Sequence, residues 1–406
     1  MNGEVAIPGA KNAATPILAA TLLTQEECVI HRVPNITDVE KMLELLRALG
    51  AEVSRVGNTV RVTTENVSLA NLPFKLVKGM RSSVLLLGPL LARLKEVELP
   101  EPGGCIIGNR PLDSHLQGLA QLGAEVTQTT NGYRLAATEL KAGRVILPEF
   151  SVTATENVMM AAALTPGTTV IELAAAEPHV QDLGRFLRAM GADIKGLGTH
   201  RLEITGQARL HGAEHSLIPD QIEIGTWAVA AAVTRGKIKM SPVLPEHLDI
   251  ILLKLKEIGV GVELKGDQLI VNGQQSLRSF KLQALPYPGF PTDLQAPFTV
   301  LATQAQGTSL IHDPLYEGRL NHVSELVKMG ANAVVADPHR VVITGPTPLY
   351  GREIRSFDLR SGATLIIAGL VASGETIIND IEVVDRGYEQ LDERLRSVGA
   401  VIRRQA

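Results

Sequence analysis

One short phrase, a helical ending closed by glycine, recurs six times along these 406 residues. It reads LRALGAEV from Leu46, LAQLGAEV from Leu119, LRAMGADI from Leu187, LKEIGVGV from Leu255, LVKMGANA from Leu326 and LRSVGAVI from Leu395. Its glycines, Gly50, Gly123, Gly191, Gly259, Gly330 and Gly399, are separated by 73, 68, 68, 71 and 69 residues, so the chain is six copies of one unit. Each phrase predicts the end of an amphipathic helix, stopped by glycine and followed by a strand. The third copy shows the whole unit: RVILPE as strand, TATENVMMAAALT as helix, TTVIEL as strand, HVQDLGRFLRAMG as helix, then DIKGLG and RLEITG as a strand pair. That order is β-α-β-α-β-β. The first helix of a unit is almost wholly apolar, as in SSVLLLGPLLA, EIGTWAVAAAV and GATLIIAGLVA, whereas the second carries charge on one side. A helix apolar all round belongs inside a core and a striped one on its surface.

A period near seventy exceeds the roughly 20–50 residues of ordinary solenoid repeats. Three units can instead close around a shared set of buried helices with sheets outside, and a chain this long favours two cores over one. The midpoint falls near 210–225, in RLHGAEHSLIPDQIEIG. Two similar domains with a cleft between them are the expectation.

Composition narrows what such a cleft can hold. A net charge of −4 gives no electrostatic reason to expect nucleic acid, and aromatic residues at 3%, with Trp227 the single tryptophan, argue against stacking platforms. An anionic ligand would therefore need concentrated cations. Cys28 lies in a strand-like run and Cys105 on a loop, which makes no disulfide framework and suits a reducing compartment. The amino terminus lacks the pattern of a signal peptide, and runs such as VLLLGPLLA fall short of the roughly 20 residues of a membrane span. These features predict a soluble cytoplasmic protein with no membrane or nucleic-acid partner.

The stretch Pro102–His115, PGGCIIGNRPLDSH, stands out from the repeats. Gly103, Gly104 and Gly108 free the backbone to fold over a ligand, and the thiol of Cys105 sits between them. Arg110 offers a planar, permanently charged fork suited to phosphate or carboxylate. Two other patterns carry less. HGAEH at 211–215 imitates a metal-binding pair, but Gly212 and the surrounding turn argue against the helix this needs. GGCIIG lacks the spacing and setting of a dinucleotide fingerprint.

Seven motifs in order resemble the UDP-N-acetylglucosamine 1-carboxyvinyltransferase family, over essentially the whole chain. They are PGAKNA from Pro8, MRSSV from Met80, PGGCIIGNRPLDSH from Pro102, GFPTDLQA from Gly289, EGRLNH from Glu317, FDLRSGA from Phe357 and DRGYE from Asp385. The resemblance implies an inside-out α/β barrel-like fold of six β-α-β-α-β-β repeats in two three-unit domains. One would span 11–219 with the catalytic loop 102–115; the other would combine 1–10 with 220–406. GEVAIPG would join the carboxy-terminal domain and HSLIPD the amino-terminal one, with hinges near Lys11 and Asp220.

The implied reaction moves the enolpyruvyl group of phosphoenolpyruvate to the 3-hydroxyl of UDP-N-acetylglucosamine and releases phosphate, the first committed step of peptidoglycan synthesis. It needs no metal or organic cofactor and no obligate protein partner. By the same resemblance, Lys11, Asn12, Arg110, Arg319, Arg360 and Arg386 hold phosphoenolpyruvate. Arg81, Arg110, Pro111, Leu112, Asp113, Ser114, Ser151, Val152, Asp293 and Leu315 contact the nucleotide sugar. Cys105, Asp293 and Lys11 are the implied catalytic residues: Cys105 donates a proton to C3 of the enol and is the target of the epoxide fosfomycin, and Asp293 is the base near the sugar hydroxyl. Asp293 also reads as an N-cap for a helix starting at Leu294.

The chain departs from the family pattern in places. It starts almost on the GEVAIPG strand, which leaves one sheet edge expected to be bare. Gly318 replaces the usual asparagine and is expected to loosen Arg319. Thr153 replaces a glycine and puts diphosphate contacts there in question. The sister enolpyruvylshikimate phosphate synthase is the nearest rival, although its G-N-A-G-T segment is missing. A non-catalytic nucleotide-sugar sensor is a rival of another class, and it predicts a lost Cys105, Lys11 or Asp293.

Overall fold

The six glycines that define the repeat all take positive φ, between 96° and 111°, each one or two residues after a helix ends. An L side chain resists this backbone region, so glycine at these helix ends is a steric requirement. The structure, a computed structural model, describes residues 1–103, 107–108 and 110–405. Cys105 and the neighbouring Gly104, Ile106 and Asn109, all within the 102–115 stretch, lie outside the described residues.

The third copy folds in the predicted order, as strand Arg144–Ile146, helix Val152–Ala163, strand Gly167–Glu172, helix Pro178–Ala189, and strands Asp193–Lys195 and Arg201–Gly206. Its first two strands run parallel and the others antiparallel, giving one four-stranded sheet. The same sheet recurs in the first, fourth and fifth copies. In the first and fourth copies the leading strand comes from elsewhere in the chain. Glu214–Ser216 pairs parallel with Cys28–His31, and Asn2–Ala6 pairs parallel with Lys237–Ser241.

Two copies are incomplete. Among the described residues the second has a three-stranded sheet, and the sixth has only the parallel pair Glu353–Arg355 and Ile377–Asn379. The strand expected after Gly399 is absent among the described residues: the tail from Ala400 to Gln405 makes no ladder. The edge expected to be bare is partly used, since Asn2 N–H donates to the carbonyl of Val398 at 2.8 Å.

The chain divides into two compact units. One comprises Gly9–Gly104 and Arg110–Ile218; the other comprises Met1–Pro8, Cys105–Asn109 and Pro219–Ala406. In the second of these, the helices Gln221–Val233, Gln295–Gln304 and Leu359–Val371 pack on one another. Ile222 to Val233 is buried without a break, and Phe298, Trp227 and Tyr388 are among the largest buried side chains. In the other unit the helices Leu87–Leu94 and Val152–Ala163 pack together, and Lys11–Ala20 packs against the 3₁₀ turn Arg81–Leu86. The apolar first helices thus form the cores, as their all-round hydrophobicity requires. Cys28 is likewise a core residue, and burial pushes its thiol up to about 11.

Candidate active site

Asp293 takes a different role from the helix cap its neighbours suggest. The helix Gln295–Gln304 has Leu294 at its N-cap and no side-chain cap, and Asp293 lies in the preceding 3₁₀ turn Thr292–Leu294. Its carboxylate turns instead to two arginines. Arg319 Nη2 donates to Oδ1 at 2.7 Å, and Arg360 donates to Oδ2 through Nη2 at 3.0 Å and Nε at 3.3 Å. Hydrogen bonds between opposite charges are roughly twice as strong as neutral ones, so two guanidinium groups outcompete helix N–H groups for this carboxylate.

Both arginines are held from behind. Arg360 enters the first turn of Leu359–Val371, whose start is fixed by a capping box: Asp358 accepts from the N–H groups of Arg360 and Ser361, and Ser361 Oγ accepts from Asp358 N–H. Arg319 stands 5.2 Å from the centroid of the Tyr316 ring and Arg360 5.3 Å from that of Tyr388. Their side chains are only 9% and 3% exposed, against 20% for Asp293. Burial pushes the Arg360 guanidinium down, but Tyr388, Asp293 and Asp220 push it further up, and the net shift is upward. Arg319 follows the same logic, with Asp293 the strongest of its anionic neighbours.

Two donors of this buried cluster, Arg319 Nε and Arg360 Nη1, have no acceptor among the described residues. One carboxylate is therefore shared by two permanent cations with hydrogen-bonding capacity left over. Such an arrangement is built to take a further anion.

Beside Gly318, the Arg319 guanidinium is engaged by Asp293 and by the Tyr316 ring. Gly318 has its own reason to be small. Its N–H donates to the Ile107 carbonyl at 3.0 Å, and a Cβ there would meet the Ile107 carbonyl carbon at 2.7 Å. Opposite it, a Cβ on Gly108 would meet Glu317 Oε2 at 2.5 Å. Gly318 lets the two backbones touch, while Gly108 leaves room for the Glu317 carboxylate. Leu315 is 38% exposed and donates its N–H to Asp313, while Arg386 ends the 3₁₀ turn Ile381–Arg386 half-buried.

The other unit gathers a second set. Lys11 opens the helix Lys11–Ala20, with Asn12 next to it, and its ammonium pairs with the buried Asp38 at 3.1 Å. Arg81 Nη2 donates to the carbonyls of Arg110, at 2.5 Å, and Pro111, at 3.4 Å. Leu112 is buried at the N-cap of the helix Asp113–Gln121, and Ser114 donates to Glu149 at 2.7 Å. Ser151 caps Val152–Ala163, accepting from Ala154 N–H.

Sequence reasoning missed the residue that joins these pieces. His115 is buried, with Nδ1 2.9 Å from Asn157 Nδ2 and Nε2 3.1 Å from Thr153 Oγ1. Gly88 N–H donates to Asn157 Oδ1, so the Asn157 amide nitrogen must face His115 and donate to Nδ1. The ring proton is then on Nε2 and goes to Thr153, whose own hydroxyl proton is left for another acceptor. Burial first, then Arg81 and Arg110, push His115 down to about 3, so it stays neutral. The signal was present in the DSH of the Pro102–His115 motif and in the threonine at 153, but only the fold brings them together.

The HGAEH residues go to separate partners: His215 Nε2 lies 3.1 Å from Asp182 Oδ1, Glu214 pairs with His31, and His211 bonds the Gly212 carbonyl. No helix among the described residues is long and apolar enough to cross a membrane.

Against this geometry, the model of the EPSP synthase (3-phosphoshikimate 1-carboxyvinyltransferase) family matches residues 1–395. A UDP-N-acetylglucosamine 1-carboxyvinyltransferase from Carboxydothermus hydrogenoformans is 45% identical over 404 residues, covering 100% of this chain and 96% of that protein. One from Bacillus subtilis is 43% identical, covering 100% and 94%. The chain belongs to the UDP-N-acetylglucosamine 1-carboxyvinyltransferase family. It is a 1-carboxyvinyl transferase. Among solved structures, the enolpyruvyl transferase NikO from Streptomyces tendae superposes with a TM-score of 0.90 at 26% identity, covering 99% of this chain and 95% of that one. EPSP synthase from Acinetobacter baumannii gives 0.76 at 19% identity, covering 98% and 96%, a likeness of fold alone. The inside-out α/β architecture is therefore that of the enolpyruvyl transferases.

Proposed function

We propose that this chain transfers the enolpyruvyl group of phosphoenolpyruvate to the 3-hydroxyl of UDP-N-acetylglucosamine in the cytoplasm, with Asp293, Arg319 and Arg360 at the centre of the chemistry. The single observation that carries the residue assignment is the buried Arg319–Asp293–Arg360 triad with two unused guanidinium donors. Phosphoenolpyruvate brings a phosphate and a carboxylate, and fixed cations stabilise charge that develops on them by a few kcal/mol per donor.

The reaction proceeds by addition and elimination. Asp293 takes the proton of the sugar hydroxyl as its oxygen attacks C2 of the enol, and C3 gains a proton from Cys105. The product of this step is a tetrahedral carbon that still bears phosphate. C3 then loses a proton, the double bond re-forms, and the bond from C2 to the phosphate oxygen breaks. Lys11, Asn12, Arg110, Arg319, Arg360 and Arg386 hold the phosphoenolpyruvate anion. Arg81, Arg110 to Ser114, Ser151, Val152 and Leu315 hold the nucleotide sugar. Their arrangement in motif order and the family identity over the whole chain support these roles.

The test is phosphate release from phosphoenolpyruvate with UDP-N-acetylglucosamine or shikimate 3-phosphate as acceptor, alongside Cys105→Ser. Release with the sugar nucleotide alone, collapsing in the variant, is the expected result. Release with shikimate 3-phosphate would reassign the acceptor. Binding of the nucleotide without release would point to a sensor.

A further inference from the structure

Behind Arg360 lies a chain of hydroxyl groups whose proton positions follow from the acceptors available. Thr226 Oγ1 is 2.8 Å from the carbonyl of Ile222, one turn earlier in Gln221–Val233. A carbonyl can only accept, so the Thr226 proton is committed there. Thr226 Oγ1 is also 3.1 Å from the Tyr388 hydroxyl, and with its proton used it must accept from Tyr388. The phenol proton therefore points at Thr226, and the phenol lone pairs are left for a donor on the other side. Arg360 stands on that side, its guanidinium carbon 5.3 Å from the centroid of the Tyr388 ring.

Tyr388 is 1% exposed, and burial, outweighing the pull of Arg360, pushes its phenol up. It keeps its proton at neutral pH, and the direction of the chain is fixed. An arginine side chain has many rotamers, and restraining them before the ligand arrives removes an ordering cost from binding. Asp293 restrains one edge of the Arg360 guanidinium through Nη2 and Nε, while Nη1 has no acceptor among the described residues.

We propose that Tyr388, backed by Thr226, is a positioning residue of the phosphoenolpyruvate site: it fixes the plane of the Arg360 guanidinium so that Nη1 is held ready for the anionic end of the substrate. This inference rests on the reading of Arg319 and Arg360 as the phosphoenolpyruvate cations. It adds a neutral, buried residue that touches no reacting atom and acts through one that binds substrate.

The experiment compares wild type with Tyr388→Phe, Thr226→Val and Thr226→Ser in steady-state kinetics, varying each substrate, with thermal unfolding measured beside it. Tyr388→Phe keeps the ring and removes the hydroxyl that ties it to Thr226, and it should raise the KM for phosphoenolpyruvate about threefold to tenfold, the range expected for losing one buried hydrogen bond. The KM for UDP-N-acetylglucosamine should stay within about twofold, since neither Arg360 nor Tyr388 is among the residues assigned to the nucleotide sugar. Thr226→Val should move the phosphoenolpyruvate KM the same way by about threefold, and Thr226→Ser should restore the wild-type value. An unchanged phosphoenolpyruvate KM in both Tyr388→Phe and Thr226→Val, whatever happens to the melting temperature, overturns the inference while leaving the function intact. Absence of turnover in the wild type overturns the underlying reading and this inference with it.

Discussion

Replacing Asp293 by asparagine tests its proposed role as base, because the side chain keeps its shape and a hydrogen-bond acceptor for the arginines but loses charge and basicity. Three charge-assisted hydrogen bonds reach this carboxylate, at 2.7, 3.0 and 3.3 Å, from guanidinium groups only 9% and 3% exposed. Breaking a fully buried ion pair costs about 3–5 kcal/mol. Asp293 is 20% exposed and an amide oxygen still accepts, so the expected loss of stability is smaller, about 1–3 kcal/mol. Removing a general base costs roughly 10²–10⁴ in rate. The field of Arg319 and Arg360 is no longer neutralised in the variant, so phosphoenolpyruvate should bind at least as well as in wild type. The expected signature is thus a kcat lowered by roughly 10²–10⁴ with a phosphoenolpyruvate KM that does not rise. Phosphate release gives the kinetic constants and urea unfolding gives the stability. A variant that retains more than about a tenth of the wild-type kcat would refute the assignment as base. A raised KM at unchanged kcat would show that the carboxylate only holds the two arginines in place.

Three further outcomes follow from particular residues. Fosfomycin should attach to Cys105 and abolish turnover, and peptide mass spectrometry that finds the label elsewhere or nowhere would remove the reactive thiol from the mechanism. His115 and His322 are buried and pushed down to about 3 and about 4, in both cases first by burial, from 6.5. The unfolded chain takes up these protons and the folded one does not, so stability is full above pH 6.5 and falls as pH drops towards 4, by about 1.4 kcal/mol per pH unit for each histidine. His115→Gln should flatten that slope in pH-dependent urea unfolding, and an unchanged slope would contradict the burial argument. Gly318→Ala places a Cβ against the Ile107 backbone and should increase protease cleavage within 102–115, whereas wild-type cleavage rates would mean that the contact gives the loop no protection.

Much of the architecture was legible because the repeat imposes its own punctuation. The glycine closing each second helix marks the unit, and the apolar first helices mark the cores, since both features depend on local backbone geometry and on one helix's own pattern. Less was legible where a sheet takes its partner from a distance. The incomplete second and sixth sheets and the missing strand after Gly399 reflect pairing energy, which a single strand's sequence does not encode.

The sequence by itself determined six units, two apolar helix sets, the motif order that marks an enolpyruvyl transferase, and the residue types able to carry anions and move protons. Tertiary structure alone decided what those residues do to one another. Asp293 sits two residues after a proline and reads locally as a cap, yet Arg319 and Arg360, 26 and 67 residues away, take its carboxylate. His115 stays neutral because it is buried and because Arg81 and Arg110 converge on it, and Tyr388 reaches Thr226 across 162 residues. Charge, burial and hydrogen-bond direction are properties of neighbours in space, and only the folded chain supplies those neighbours.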